Sequence, residues 1–386
     1  MPVLDLTKIA IIDNHCHPVL TDQSISSLGD WRRLFSEAAD AATRESHVPF
    51  TAFYRRLIRA MATLHNCEAS EEKVLAARQA CDRAMLFHRL GTEANVDTFV
   101  IDTGFPRGPH TMPNREFAAS FGCRHVELLR LELTFQELVK TNKTLAEARE
   151  ALAFELRDLR ASGFSGVKSI VGYRTGLDVH RWPEQEAQKA FEAARLEATE
   201  RGQVRLGYKP LLDTLLRDAL SQAARQNLPV QFHVGYGDPD VDLRQANPLH
   251  LRALIADPSF SGASFVLLHA CWPFFREGAF LATVYPNVFL DVSYAIPFFG
   301  FSEYVAATRA AVSVAPWTRI LFSSDAVGVP ELHWIGAIDG RRALSQAFAQ
   351  LIADGDLTPD EAMQAAQCIL HDNAANLYGC PPRGVS

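Results

Sequence analysis

The chain is short of the features that mark several large protein classes. Its seven cysteines are scattered, odd in number and free of any Cys-x-x-Cys pair, so neither a disulfide framework nor a cysteine zinc site is expected, and most should be buried thiols in a reducing compartment. No basic block or stripe stands out against a net charge of -7, which argues against a nucleic-acid partner. No apolar run is long enough to span a bilayer, and the N-terminus lacks the basic-then-apolar layout of a signal peptide; a soluble, cytoplasmic protein with no membrane partner is expected. No linker rich in Pro, Gly or Ser divides the chain, no glycine-rich phosphate loop follows an early strand, and no Gly-x-Ser-x-Gly elbow is found.

What is present is ordinary globular material, 386 residues with 48% hydrophobic and 22% charged side chains, enough for one large core. The most informative stretch lies near the N-terminus, where Ile11-Ile12-Asp13-Asn14-His15-Cys16-His17-Pro18 reads as an apolar strand ending in two histidines. Side chains alternate along a strand, so His15 and His17 share a face while Cys16 points away. Two imidazoles aimed at one point suit a metal ion, and Pro18 ends the ladder there.

From Thr21 to about Leu90 helical spacing prevails, and residues 21–92 are read as a helical insertion with Gly91 as a C-cap. Such a segment either covers a site as a lid or packs against the body or a second subunit. From Val96 onward strands alternate with helices: Val96–Ile101, Val126–Leu131, Phe164–Val171, Leu228–His233, Ser264–His269, Val288–Val292 and Ile320–Asp325. Between the third and fifth strands, helices are expected over 145–160, 184–201 and 211–226. Two more, over 342–352 and 359–377, close the chain. Eight strands alternating with helices point to an α/β fold, a closed parallel (β/α)8 TIM barrel forming a single domain over 1–386. A doubly wound open sheet is the structural competitor.

In such a barrel the C-terminal strand ends share one rim. His15, His17, Lys168, His233, His269 and Asp325 all fall on or at the ends of predicted strands. Taken singly, His233 and His269 also read as core histidines, Lys168 as an internal salt-bridge partner of Glu132 or Asp13, and Asp325 as a turn cap. Recurrence on five strands at the same end favours a site. Arg130 and Glu132, placed two apart on the third strand, are either a supporting pair or ordinary barrel packing.

With these residues in place, the sequence resembles the amidohydrolase superfamily of metal-dependent barrel hydrolases over nearly its whole length. Gly166-Val167-Lys168-Ser169-Ile170-Val171-Gly172-Tyr173-Arg174, the loop Gly237–Arg244 with Asn247-Pro248-Leu249-His250, and Tyr285-Pro286-Asn287 through Ser293 are similar to the amidohydrolase-related branch fused to a glutamine-synthetase domain in some fungi and plants. The 386 residues hold no such second domain. The resemblance implies that His15, His17 and Asp325 bind a buried metal and His233 and His269 an exposed one, with Lys168 bridging the two as a carbamate formed with carbon dioxide. Zinc suits those donors, and manganese or iron could replace it. It also implies hydrolysis by a metal-bridging hydroxide, with Asp325 moving the proton to the leaving nitrogen.

Arg174 is the first candidate for gripping a substrate carboxylate, because guanidinium and carboxylate pair as a bidentate fork. Tyr173, Arg244, His250 and His333 are further candidates, each equally readable as a loop or surface residue. The expected activity is hydrolysis of an amide bond in a small carboxylated compound, an N-acyl amino acid or γ-glutamyl amide. A mononuclear decarboxylase of the same superfamily and a non-catalytic binding protein on the same barrel are the alternatives. A homodimer is expected.

Overall fold

A computed structural model describes residues 4–21, 25 and 27–380. The ends of the expected 1–386 domain, and residues 22–24 and 26 of the 21–92 segment, lie outside the described residues. Eight strands are present: β1 (Ile11–Cys16), β2 (Val96–Asp102), β3 (Arg124–Arg130), β4 (Phe164–Ser169), β5 (Pro229–Phe232), β6 (Ser264–Leu267), β7 (Val288–Ser293) and β8 (Ile320–Ser323). They are hydrogen-bonded in chain order in one sheet, with helices between them, as the (β/α)8 barrel class requires. By contact density the chain forms two compact units, one of Met1–Val126, Asp291–Asn376 and Cys380–Ser386, the other of Glu127–Leu290 and Leu377–Gly379.

In the first unit β1 and β2 are buried along their whole length. They pair in parallel from Ile11 opposite Val96 to Cys16 opposite Ile101, with a register shift between Asp13 and Cys16. The other flank of β1 meets the chain just beyond β8: Asp325 N donates to His15 O at 2.9 Å and His17 N to Ala326 O at 2.9 Å. Helices fill the interval between β1 and β2, from Leu28–Arg33 to Arg83–Ala94. Asp40, Thr51, Ser70 and Asp82 cap four of them through their side chains, each satisfying a first-turn N–H. Two of these helices are tied to the long helix Pro330–Asp354, by Arg78 Nε on Glu331 Oε1 at 2.5 Å and by Arg56 Nε on Asp339 Oδ2 at 2.8 Å. Both carboxylates are fully buried.

Gly91 does not cap its helix. The helix runs on to Ala94 and closes on Asn95 in the left-handed region; a Cβ at Gly91 would stand 2.1 Å from Phe121 O, so glycine is there because backbone passes close by.

In the second unit β3 through β7 are paired in parallel, with Lys168 opposite Gln231 and Ser169 opposite Phe232. Pro229 occupies the first position of β5, where its missing N–H is harmless. Helices Leu145–Glu155, Glu184–Arg201 and Lys209–Arg225 lie where the periodicity put them, the first ending five residues early. Glu132 is a correction. β3 stops at Arg130 and the helix Leu131–Thr141 begins at once, so Glu132 belongs to a first helical turn and not to a strand.

Candidate metal centre

The first unit brings His15, His17 and Asp325 together. His15 Nε2 lies 3.4 Å and His17 Nε2 3.8 Å from Asp325 Oδ1; His15 is 1% and His17 8% exposed. The rings meet edge to face at 4.9 Å. His17 Nδ1 donates to the carbonyl of Phe105 at 3.0 Å, which fixes the tautomer that leaves Nε2 as the donor atom toward Asp325. Asp325 itself sits in the left-handed region, φ 55°, uncommon for a residue with a side chain.

Asp102, at the end of β2, was missed by the sequence reading. It offers a carboxylate oxygen within 4.8 Å of ligand atoms of both His15 and His17, and its position closing an apolar strand is the same signal that singled out Asp325. Beneath these residues Asn14 Nδ2 donates to Asp291 Oδ2 at 2.9 Å, and Ser293 Oγ donates to Asp291 Oδ1 at 2.8 Å. Burial pushes the Asp13 carboxyl up to about 8, against the opposing pull of hydrogen bonds from Ser324. Burial also pushes the Cys16 thiol well up, and its Sγ faces Val100 O, away from the histidines as the alternation requires.

The second unit brings His233 and His269 together, with Nδ1 of the former and Nε2 of the latter 3.0 Å apart. His233 Nε2 faces the carbonyl oxygen of Tyr236 at 2.5 Å; a carbonyl only accepts, so Nε2 carries the proton and Nδ1 holds the lone pair. His269 opens a turn of three consecutive left-handed residues, His269, Ala270 and Cys271, at φ 63°, 51° and 54°. Tyr173 packs on His233, ring centroids 4.3 Å apart. Lys168 is 1% exposed near the end of β4.

Glu132 accepts from Ser169 Oγ at 2.7 Å and from Ile170 N at 2.9 Å, so it pins the exit of the strand that carries Lys168. Burial raises its carboxyl above the ordinary range. Arg174 is half-buried, its Nη1 donating to Tyr173 O at 3.3 Å, and desolvation lowers its guanidinium from the usual value.

Arg244 and His250 fall under the loop reading, while His333 departs from both readings. Arg244 is held by its neighbour Asp242, with Nη2 on Oδ2 at 2.8 Å, and is largely exposed. His250 Nε2 donates to Arg244 O at 2.9 Å, which makes this segment a self-contained loop. His333 is not on a loop at all. It lies within the helix Pro330–Asp354, 1% exposed, its ring 4.8–5.8 Å from those of Phe99, Phe117 and Phe121. Burial drives its imidazole down to about 3, so it is a neutral packed residue.

The donor chemistry fits a metal ion. In the first unit imidazole nitrogens and a carboxylate converge, the set that zinc, manganese and iron accept. In the second, two imidazole nitrogens already stand at a separation that one cation could span, each ring held from behind or by its backbone.

Comparison with known proteins agrees with this chemistry. Residues 143–380 match the amidohydrolase family, and the chain belongs to that family, within its amidohydrolase-related branch. It is 30% identical over 408 aligned residues to the protein fluG of Emericella nidulans, covering 95% of this chain and 45% of that protein; it thus spans about half of that relative's length. Among solved structures it superposes on a provisionally assigned metal-dependent hydrolase of Lactobacillus casei with a TM-score of 0.85 and 28% identity, over 98% of both chains. A uronate isomerase of Thermotoga maritima, 12% identical with a TM-score of 0.66 over 96% of this chain and 95% of its own, shares the fold. The chain is therefore a barrel of the amidohydrolase family. Among the described residues no helix is long and apolar enough to cross a membrane.

Proposed function

We propose that this protein hydrolyses an amide bond of a small carboxylated compound, of the N-acyl amino acid or γ-glutamyl amide type. The observation that carries the reading is the convergence of His15 and His17 on Asp325 at strand exits. Those three residues would hold one metal ion, zinc being the first choice, His233 and His269 would hold a second, and Lys168 would serve as a carbamate ligand. Bound there, the metal supplies Lewis acidity toward a carbonyl and lowers the pKa of a water from about 15.7 toward neutrality.

The remaining work belongs to the chain. Asp325 accepts a proton from the attacking water and delivers it to the leaving nitrogen as the C–N bond breaks and the C–O bond forms, so that acid and amine are the products. Arg174 binds the substrate carboxylate as a fork. Tyr173 shields His233 on one face. Glu132 holds the end of β4 through Ser169 and Ile170.

The test is metal content per chain by plasma mass spectrometry, on wild type and Lys168→Ala prepared side by side with zinc and bicarbonate, followed by a screen of N-acyl amino acids and γ-glutamyl amides. About two ions falling to one or fewer in the variant supports the bridged pair. One ion in both sinks it and favours the second reading, a mononuclear decarboxylase. That reading draws on the convergence of His15 and His17 on Asp325, a donor set that could hold a single ion without Lys168.

A further inference from the structure

Asp325 places a carboxylate against both Nε2 atoms of the His15–His17 pair, yet its backbone is in a region that residues with a Cβ seldom adopt. Something must hold it there. The residue before it is Ser324, whose N donates to Asp13 Oδ1 at 2.8 Å and whose Oγ donates to Asp13 Oδ2 at 2.5 Å. The peptide group after it is fixed by the same hydroxyl, since Ala326 N donates to Ser324 Oγ at 3.1 Å. Asp325 N itself donates to His15 O, and the Asp13 carboxyl group faces His15 N at 3.4 Å. One carboxyl group and one hydroxyl thus tie the backbone on both sides of Asp325 to the strand that presents His15 and His17. Both side chains are buried, Asp13 at 1% and Ser324 at 0% exposure, so water does not compete for these bonds.

We propose that Asp13 and Ser324 form a clamp that sets Asp325 against His15 and His17, and that they are positioning residues for the metal site. This rests on the metal reading given above. The helix Pro330–Asp354 backs the clamp. Gly336 faces Ser324, and a Cβ added there would lie 3.1 Å from Ser324 Cβ, so Gly336→Ala presses on Ser324 without deleting a hydrogen bond.

The experiment is a zinc competition titration against a chromogenic chelator on the full chain, with thermal unfolding of the metal-free proteins alongside. Removing a group that orients a ligand typically costs about 10–100-fold in metal affinity, and Ser324→Ala is expected to show that loss. Ser324→Thr, which keeps the hydroxyl, should recover most of it, and Gly336→Ala should fall between. The metal-free proteins should unfold within a few degrees of one another. Zinc bound equally by wild type and Ser324→Ala overturns the clamp alone, as does a loss that Ser324→Thr fails to recover. No zinc bound by the wild type overturns the metal reading and the clamp with it. Should Ser324→Ala fail to fold, Gly336→Ala decides, and unchanged affinity there sinks the proposal.

Discussion

The His15–His17 pair and the His233–His269 pair solve the same problem in different ways. In the first unit an anion stands between the rings: Asp325 Oδ1 is within 3.8 Å of both Nε2 atoms, so positive charge is matched before any ion arrives. In the second the imidazoles face each other directly at 3.0 Å, and only a proton separates them. A cation there must displace that proton, whereas at the first set it meets a carboxylate already in position. The contrast teaches that the first set should bind metal more tightly.

The largest expected effect comes from breaking the first set. Asp325→Ala or His15→Ala should abolish the tightly held ion, measured by plasma mass spectrometry, and lower the rate at least about 10³-fold, the scale of several kcal/mol of lost transition-state stabilisation. His269→Ala sharpens the comparison from the other side. It should release one ion and leave the first in place, lowering activity by a smaller factor, about 10²-fold; loss of both ions would show that the two sets do not bind independently. Arg174→Lys should act on neither set. It exchanges a planar fork for a point charge, and the expectation is a rise in KM of about tenfold with metal content unchanged.

The smallest effect separates a packed histidine from the ligands. The folded chain holds His333 neutral down to about pH 3, while the unfolded chain takes up its proton near the ordinary histidine value of about 6.5. Its contribution is therefore whole above the unfolded value and is lost as pH falls from there toward 3. His333→Phe should flatten the fall of Tm between pH 7 and pH 4 without changing metal content. A steeper fall in the variant would contradict the packing role.

The parts of this molecule that could be read from sequence are those where one residue type has few uses. An apolar strand ending in His-x-His, or an aspartate after Leu-Phe-Ser-Ser, says much about backbone and chemistry together. Apolar runs placed all eight strands, because strands of a parallel sheet covered on both faces are near-continuously apolar. Reading failed where the cue is set by a distant neighbour. Glu132 continues the alternation of β3, and no Ser, Thr, Asn or Asp stands at the junction to mark a helix start. Gly91 has the composition of a cap, but Phe121 decides its role. His333 and His17 are the same residue type; three phenylalanines brought up by other elements make one a packed ring. Asp102 carried a legible signal that the reading passed over.

The turn at His269, Ala270 and Cys271 bears on how the chain behaves when its ligands are missing. Sparsely populated backbone states cost of order 1–3 kcal/mol each, and three in succession approach the roughly 5–15 kcal/mol by which a whole domain outlasts its unfolded form. Such a segment is a loaded spring, held by its surroundings. If the contact between His269 and His233 is cut, this turn should be the first stretch of the second unit to relax, and its amide protons should exchange with solvent well before those of β5 and β6 beside it.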